Sequence, residues 1–355
     1  MGIRSYYSYA LIMSLNATMN FICGGRGLGK SYGIKVKAVK DGIHRGEQFL
    51  YLRRYKEELV AGRNTFFADI AHLFPKYEFR VVSLDSIYSA QFTKMLTRGN
   101  GESEKDYKKR CEDREWKTIG IFAALSTSQR LKSGSYPKVT KIIFDEFIIE
   151  KGMLQYLPDE VTVFINLYST IDRWRDNVRC YFLANAVTIQ NPYFIKWHIR
   201  PDDGRQMIIK ADGYVAAHFP DSENFRNEAF STAFGKFIAG TEYGDYAVGN
   251  KFSDNGENLI KTKDSESRYI FTLETKNGIF SIWNYTGESV YFVQQKRPKA
   301  HEIMRTLIPE KMDETKQLLT FSDSTLSILR TAFKQGRVWF DEPGTRNTFI
   351  DIFTR

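Results

Sequence analysis

Residues Thr18–Tyr32 read TMNFICGGRGLGKSY. A short apolar run, Phe21–Cys23, leads straight into Gly24-Gly25-Arg26-Gly27-Leu28-Gly29-Lys30-Ser31, which meets the pattern Gly-x4-Gly-Lys-Ser at every fixed position. Gly24, Gly27 and Gly29 open backbone conformations closed to other residues, so consecutive amide N–H groups can converge on phosphate oxygens. A helix-compatible segment follows, Tyr32–Ile43, and the positive end of its dipole adds to the loop. With a strand before it and a helix after it, Gly24 to Ser31 is expected to bind ATP. Lys30 would then reach the β- and γ-phosphates and the Ser31 hydroxyl would hold Mg²⁺.

The second chemical landmark is Lys141–Phe147, KIIFDEF. A buried strand that ends in two acids is what a hydrolytic nucleotide site requires beside its phosphate loop. Asp145 is expected to hold Mg²⁺, and Glu146 to orient and deprotonate the attacking water. A third strand, Cys180–Ala184, ends in Asn185, a polar side chain placed to sense the γ-phosphate. Between the phosphate loop and the acidic strand lies Gln48–Arg53, which runs into Arg53-Arg54-Tyr55-Lys56; three cations and an aromatic at a strand end are candidates for contact with a phosphate backbone. A helix-like run over Glu57–Phe74 is stopped by Pro75. Of the tyrosines ahead of the first strand (Tyr6, Tyr7, Tyr9), packing on their own domain is the commoner outcome and stacking on an adenine the rarer one.

The chain has 355 residues, enough for two domains. Apolar residues make up 42% and aromatics 15%, which supports real cores and argues against disorder. The net charge is +9, of which +7 falls in residues 1–250, so an ATPase domain with a polyanionic partner, nucleic acid first, is expected. Three dispersed cysteines and five scattered histidines form no zinc or disulfide framework, and the cysteine usage fits a reducing cytoplasm. No leader-like N-terminus and no apolar run of spanning length is visible, so no membrane partner is expected. Thr93–Trp116 is charged with both signs and poor in apolar residues, the texture of an exposed insertion. Asp221–Gly240 has apolar residues at helical spacing, followed by a linker up to Asn250. From Lys251 the texture changes to short strands at Tyr269–Glu274, Gly278–Asn284 and Ser289–Gln295, separated by turn signals at Lys276-Asn277-Gly278 and Thr286-Gly287. Helix-like stretches follow near His301–Leu307 and Leu326–Lys334. This is a second α/β or α+β domain that begins with an antiparallel meander.

Together GGRGLGKS, KIIFDEF and RWRDNVRCYFLANAV, with FLYLRRYKEEL and FGKFIAGTEYG, resemble the DNA-packaging motor ATPases of small tailed phages of the phi-29 type. The resemblance spans most of residues 15–250 and thins out beyond. It implies an α/β fold: an ASCE-type P-loop NTPase domain with a mainly parallel sheet (residues 1–217), a helical linker (218–250) and a C-terminal RNase-H-like domain (251–355). It further implies a homo-oligomeric ring, a pentamer in that family, on the portal of a procapsid, with double-stranded DNA and a structural packaging RNA as partners. Arg173 falls where the family places an arginine finger that acts on a neighbour's γ-phosphate, with Arg175 as the next choice. Lys132 and Lys56 fall near positions with trans-acting or DNA-contacting roles, and Asn185 at a coupling position. The first C-terminal strand carries no acid before Glu274, and the next two carry none, so the two-metal nuclease constellation of larger packaging enzymes is missing and a binding module is expected instead. Two rivals share parts of this pattern: a ring helicase or translocase, and a phosphate-loop switch or kinase. The Asp145-Glu146 pair, which prepares water as the nucleophile, argues against the latter.

Overall fold

A computed structural model describes residues 6–84, 87–149, 155–186, 191–201, 205–249, 260–263, 265–285, 290–295, 303–320, 322–334, 337–350 and 352. The expected turn at Thr286-Gly287 lies outside them. In chain order the elements are α1 (Ala10–Ser14), β1 (Met19–Cys23), α2 (Lys30–Arg45), β2 (Gln48–Arg53), α3 (Lys56–Thr65), β3 (Tyr77–Leu84), β4 (Ile87–Lys94), α4 (Glu104–Glu112), β5 (Lys117–Ala124), β6 (Val139–Asp145), α5 (Glu160–Asp172) and β7 (Arg179–Ala184). Then come α6 (Pro192–Lys196), β8 (Met207–Lys210), β9 (Val215–His218), α7 (Glu223–Ser231), α8 (Ala233–Ile238), α9 (Glu242–Ala247), β10 (Arg268–Thr275), β11 (Gly278–Tyr285), β12 (Val290–Gln294), β13 (Met304–Thr306), β14 (Lys316–Leu318), α10 (Ser324–Lys334), β15 (Val338–Phe340) and α11 (Pro343–Ile350).

The chain forms two compact units, one of residues 1–187 with 199–253, the other of 188–198 with 254–355. The first is built on a nine-stranded sheet in the order β3-β4-β5-β2-β6-β7-β1-β9-β8. Its six central strands, β5 to β9, run parallel, and β3, β4 and β8 are antiparallel additions at the edges. Parallel strands must be covered on both faces, which is why β1, β2, β6 and β7 are nearly continuous apolar runs. Phe49, Tyr51, Phe66 and Phe122 form a cluster of stacked and edge-on rings at the centre of one face. β7 lies between the strand of the phosphate loop and the strand of Asp145, so the carboxyl ends of β1, β7 and β6 present their loops side by side.

Several expectations need correction. The run over Glu57–Phe74 is helical only to Thr65; beyond it the chain turns to bury Phe66, Phe67, Ile70 and Phe74, a gain that a straight helix would forgo. Asp221–Gly240 is not one helix: Thr232 leaves helical geometry and its side chain accepts from the Gly235 amide, so α8 starts afresh there, and Thr241 starts α9 in the same way. β8 and β9 are strands that the sequence did not announce, because runs of four residues are too short to carry a periodic signal. Residues 304–306, expected to be helical, form a strand beside β10.

Thr93–Trp116 folds as an exposed excursion whose helix α4 buries no residue; it is fastened by Arg110 to Glu102 and by Arg114 to Glu78. In the second unit β10, β11 and β12 form the expected antiparallel meander, with β13 parallel to β10 and β14 parallel to β13. β15 adds in parallel to β12, and α10 and α11 contribute Leu326, Leu329, Phe333 and Phe349 to its core.

Candidate active site

The phosphate loop turns at Gly27 (φ +86°) and Gly29 (φ +84°), conformations that a side chain would strain. Gly29 is the N-cap of α2, so the helix dipole points into the loop. Leu28 is buried and offers the loop only its backbone. The N-terminal segment braces the outside: the Tyr7 amide donates to the Leu28 carbonyl at 2.8 Å, and the Tyr9 hydroxyl donates to the Lys30 carbonyl at 2.7 Å. Tyr7 and Tyr9 therefore pack on their own domain, and only Tyr6 remains half-exposed, against Tyr32.

Lys30 is buried and folds back on the loop. Its Nζ donates to the carbonyls of Gly24 and Gly25, both at 2.8 Å, and to Asn185 Oδ1 at 3.4 Å. Burial lowers its pKa from 10.5 to about 8. At the other side of the loop the Ser31 hydroxyl donates to Asp145 Oδ1 at 2.8 Å, and the Tyr51 hydroxyl donates to Asp145 Oδ2 at 2.7 Å. A hydroxyl and a carboxylate oxygen meeting at one point, beside a phosphate loop, are the hard donors that suit Mg²⁺. Glu146 follows on a backbone with φ +57°, a strained conformation of the kind found at functional positions. Its carboxylate accepts from Arg53 Nη2 at 2.6 Å, and Arg53 Nη1 lies 3.8 Å from Asp145.

The carboxyl edge of the sheet thus brings together Lys30, Ser31, Asp145, Glu146 and Asn185, all anticipated, with Tyr51 and Arg53. Tyr51 was overlooked inside an apolar strand; its one signal is the polar tip of a buried tyrosine, which needs a partner. Arg53, expected at DNA or in trans, instead pairs with the two site acids of its own chain. Arg54 is corrected outright. It is 1% exposed, forms a fork with Glu160 (Nε at 2.7 Å, Nη2 at 3.0 Å), donates to the Phe147 carbonyl and stacks on Phe144 and Tyr156. A guanidinium so enclosed has no surface to offer DNA. Lys56 begins α3 and is exposed.

Arg173 and Arg175 lie elsewhere. α5 starts at the site edge, where Arg54 holds Glu160, and ends at Asp172. Its thirteen residues, like the six of β7, span ~20 Å. Arg173 therefore caps the far end of the helix, exposed, with Nη2 donating to the Gly134 carbonyl at 2.6 Å. Gly134 is two residues from exposed Lys132, so these two cations share one surface. Arg175 is occupied by the carbonyls of Ile171, Asp172, Tyr136 and Pro137 and acts as a clamp, which removes it as a finger.

The helices after β9 close on the loop from the other side. The Arg26 amide donates to the Ala247 carbonyl at 2.6 Å, and the Arg26 guanidinium lies 3.5 Å from the Tyr243 hydroxyl.

The chain is 31% identical to the DNA packaging protein of Bacillus phage phi29 over 352 residues, covering 99% of this chain and 97% of that protein. The solved bacteriophage Phi-29 viral genome packaging motor assembly aligns over 98% of both chains at a TM-score of 0.59 and 31% identity. The N-terminal domain of the DNA packaging ATPase from bacteriophage phi29 matches 62% of this chain and 98% of its own length, at 35% identity and a TM-score of 0.50. The model of the podovirus DNA encapsidation protein (Gp16) family matches residues 1–94 and 90–355. With its phosphate loop, acidic strand end and whole-length match, the chain belongs to the podovirus DNA encapsidation protein (Gp16) family.

Proposed function

We propose that this chain is the ATPase of a phage genome-packaging motor, hydrolysing ATP in a homo-oligomeric ring on the procapsid portal and driving double-stranded DNA inside. The observation that carries the reading is the convergence of Lys30, Ser31, Asp145, Glu146 and Asn185 at one sheet edge, with Arg173 presented ~20 Å away on another surface. Arg173, exposed at the far end of α5 from its own site, is the cation that a second copy would bring to the γ-phosphate. Lys30 leaves the loop carbonyls for the phosphates. Glu146, aimed by Arg53, takes the proton of the attacking water, and Arg173 of the neighbour meets the charge that develops on the leaving phosphate. Ser31 and Asp145 would hold Mg²⁺, which would supply neutralisation of phosphate charge. Lys56 and Lys132 are the exposed cations read as DNA or trans contacts. DNA contact is to phosphates and independent of sequence.

The second unit is read as RNase-H-like and as a docking module for portal, DNA or a packaging RNA. Glu274, the acid of its first strand, is occupied by Lys311 at 2.9 Å and Lys316 at 3.1 Å, which hold its carboxyl below the usual range. A carboxylate neutralised by two lysines is a poor metal ligand.

The test is ATPase rate per subunit against protein concentration, with and without duplex DNA. A rate that rises with assembly and with DNA, and a DNA affinity that falls steeply with salt, is expected. A rate flat in concentration and blind to DNA overturns the motor reading in favour of a switch or kinase, and unwinding in a fork assay moves it to a helicase.

Lys30 adds a proton signature. Phosphate contact favours the ammonium and returns its pKa toward 10.5, so ATP binding takes up a proton between about pH 8 and 10.5. Below pH 8 the lysine is already charged and affinity is flat; above it, affinity falls by up to about tenfold per pH unit. Calorimetry at pH 9 in two buffers of different ionisation enthalpy measures the uptake, and its absence would remove Lys30 from the phosphates.

A further inference from the structure

Among the described residues the three most exposed large apolar side chains are aromatic: Trp174 at 95%, Phe237 at 81% and Phe234 at 61%. They lie at two places in the first unit. Trp174 is carried on the loop between α5 and β7, and this loop is braced by hydrogen bonds. The Asp172 carboxylate accepts from the amides of Asp176, Asn177 and Val178, and Arg175 ties down four carbonyls. Arg173, Trp174 and Asp176 all have positive φ (47°, 62° and 52°), strain that persists only where the surroundings over-determine it. The effect is to hold one indole out in solvent at a fixed position, the arrangement of a pre-organised interface anchor.

Phe234 and Phe237 are one turn apart on α8 and share a face, whereas Gly235 and Ile238 are buried on the other. The Phe234 ring lies 6.3 Å from that of Tyr243, whose hydroxyl meets Arg26 of the phosphate loop. This aromatic patch therefore begins one ring away from Arg26 of the phosphate loop.

We propose that Trp174 seats on the Phe234/Phe237 face of a second copy of this chain. The inference rests on the reading of Arg173 as a finger acting in trans. Trp174 is the next residue, with its Cα about 3.8 Å from that of Arg173, so wherever the arginine enters a neighbour's nucleotide site the indole lands on the surface around it. The apolar surface there is α8. Within one chain the two cannot meet, because α5 and β7 hold the loop ~20 Å from the site edge. The contact is accordingly head-to-tail and repeats from copy to copy, the kind of interface from which a ring is built. Edge-on or offset packing of indole on phenyl then holds the two copies together beside the shared site.

The test uses the full-length chain with duplex DNA and ATP. Trp174→Ala is expected to raise the protein concentration at half-maximal ATPase rate by about 30-fold, the loss of an aromatic hot spot, while the saturating rate per subunit stays within about twofold. Trp174→Phe should recover most of that shift. Since Trp174 is in solvent, the melting temperature of Trp174→Ala should match wild type, which separates assembly from folding. In a Cys111→Ser background, Cys23 and Cys180 being buried, a Trp174→Cys chain is mixed with a larger tagged Phe237→Cys or Phe234→Cys chain. Oxidation with copper phenanthroline is expected to yield a dimer of intermediate size. An unshifted half-saturation for Trp174→Ala with no such dimer, while Arg173→Ala and Glu146→Gln still complement each other in a mixture, overturns this contact and leaves the finger intact. Loss of that complementation overturns the finger, and this inference with it.

Discussion

Arg173→Ala is expected to cut ATP turnover by ~10³–10⁵ while ATP still binds, the scale of a finger supplied by another subunit. The physical ground is distance. The guanidinium sits at the far end of α5 from its own Lys30 and Glu146, out of reach of its own site, and on the proposed reading it serves a neighbour's. Glu146→Gln removes the base and leaves the finger. Neither variant turns over alone. In an equal mixture about one interface in four joins an intact finger to an intact base, so about a quarter of the wild-type rate should return if interfaces act independently. Both are read in a coupled phosphate-release assay alongside fluorescent-nucleotide binding. Full turnover by Arg173→Ala would end the shared-site reading.

Arg54→Ala is expected to destabilise the first unit by about 3–5 kcal/mol, because it strands the Glu160 carboxylate in the core with its fork partner gone. For a unit of this size that lowers the melting temperature by roughly 10 °C. The companion variant separates charge from packing: Arg54→Met with Glu160→Leu removes both charges and should recover most of the loss. Lys56→Ala, two residues on and exposed, should leave melting within about 0.5 kcal/mol of wild type. A small effect of Arg54→Ala on melting would contradict its burial.

These neighbours show how far the chain could be read before its fold was known. RRYK presents three cations within four residues, and composition treats them alike. The fold sends Arg53 to the site acids, Arg54 into the core and Lys56 to solvent, because a strand end directs successive side chains to opposite sides. What decides each fate is the partner: Glu146 lies 93 residues downstream of Arg53 and Glu160 lies 106 downstream of Arg54. Arg173 and Arg175 divide in the same way, one exposed beside Lys132 and the other spent on four carbonyls.

The sequence by itself determined the phosphate loop, the strand ending in Asp145-Glu146, the polar Asn185 and the meander that opens the second unit. Each is written in adjacent residues, whose glycine spacing or apolar period is a local property of the chain. Only the tertiary structure decided that Tyr51 and Arg53 complete the acid cluster, that Arg54 is structural, and that the helices after β9 close on the phosphate loop through the Ala247 carbonyl. It likewise set Trp174 in solvent on a braced loop. These depend on which distant segments come to face each other, and burial and pairing energies, unlike helical or strand period, leave no local trace in the sequence.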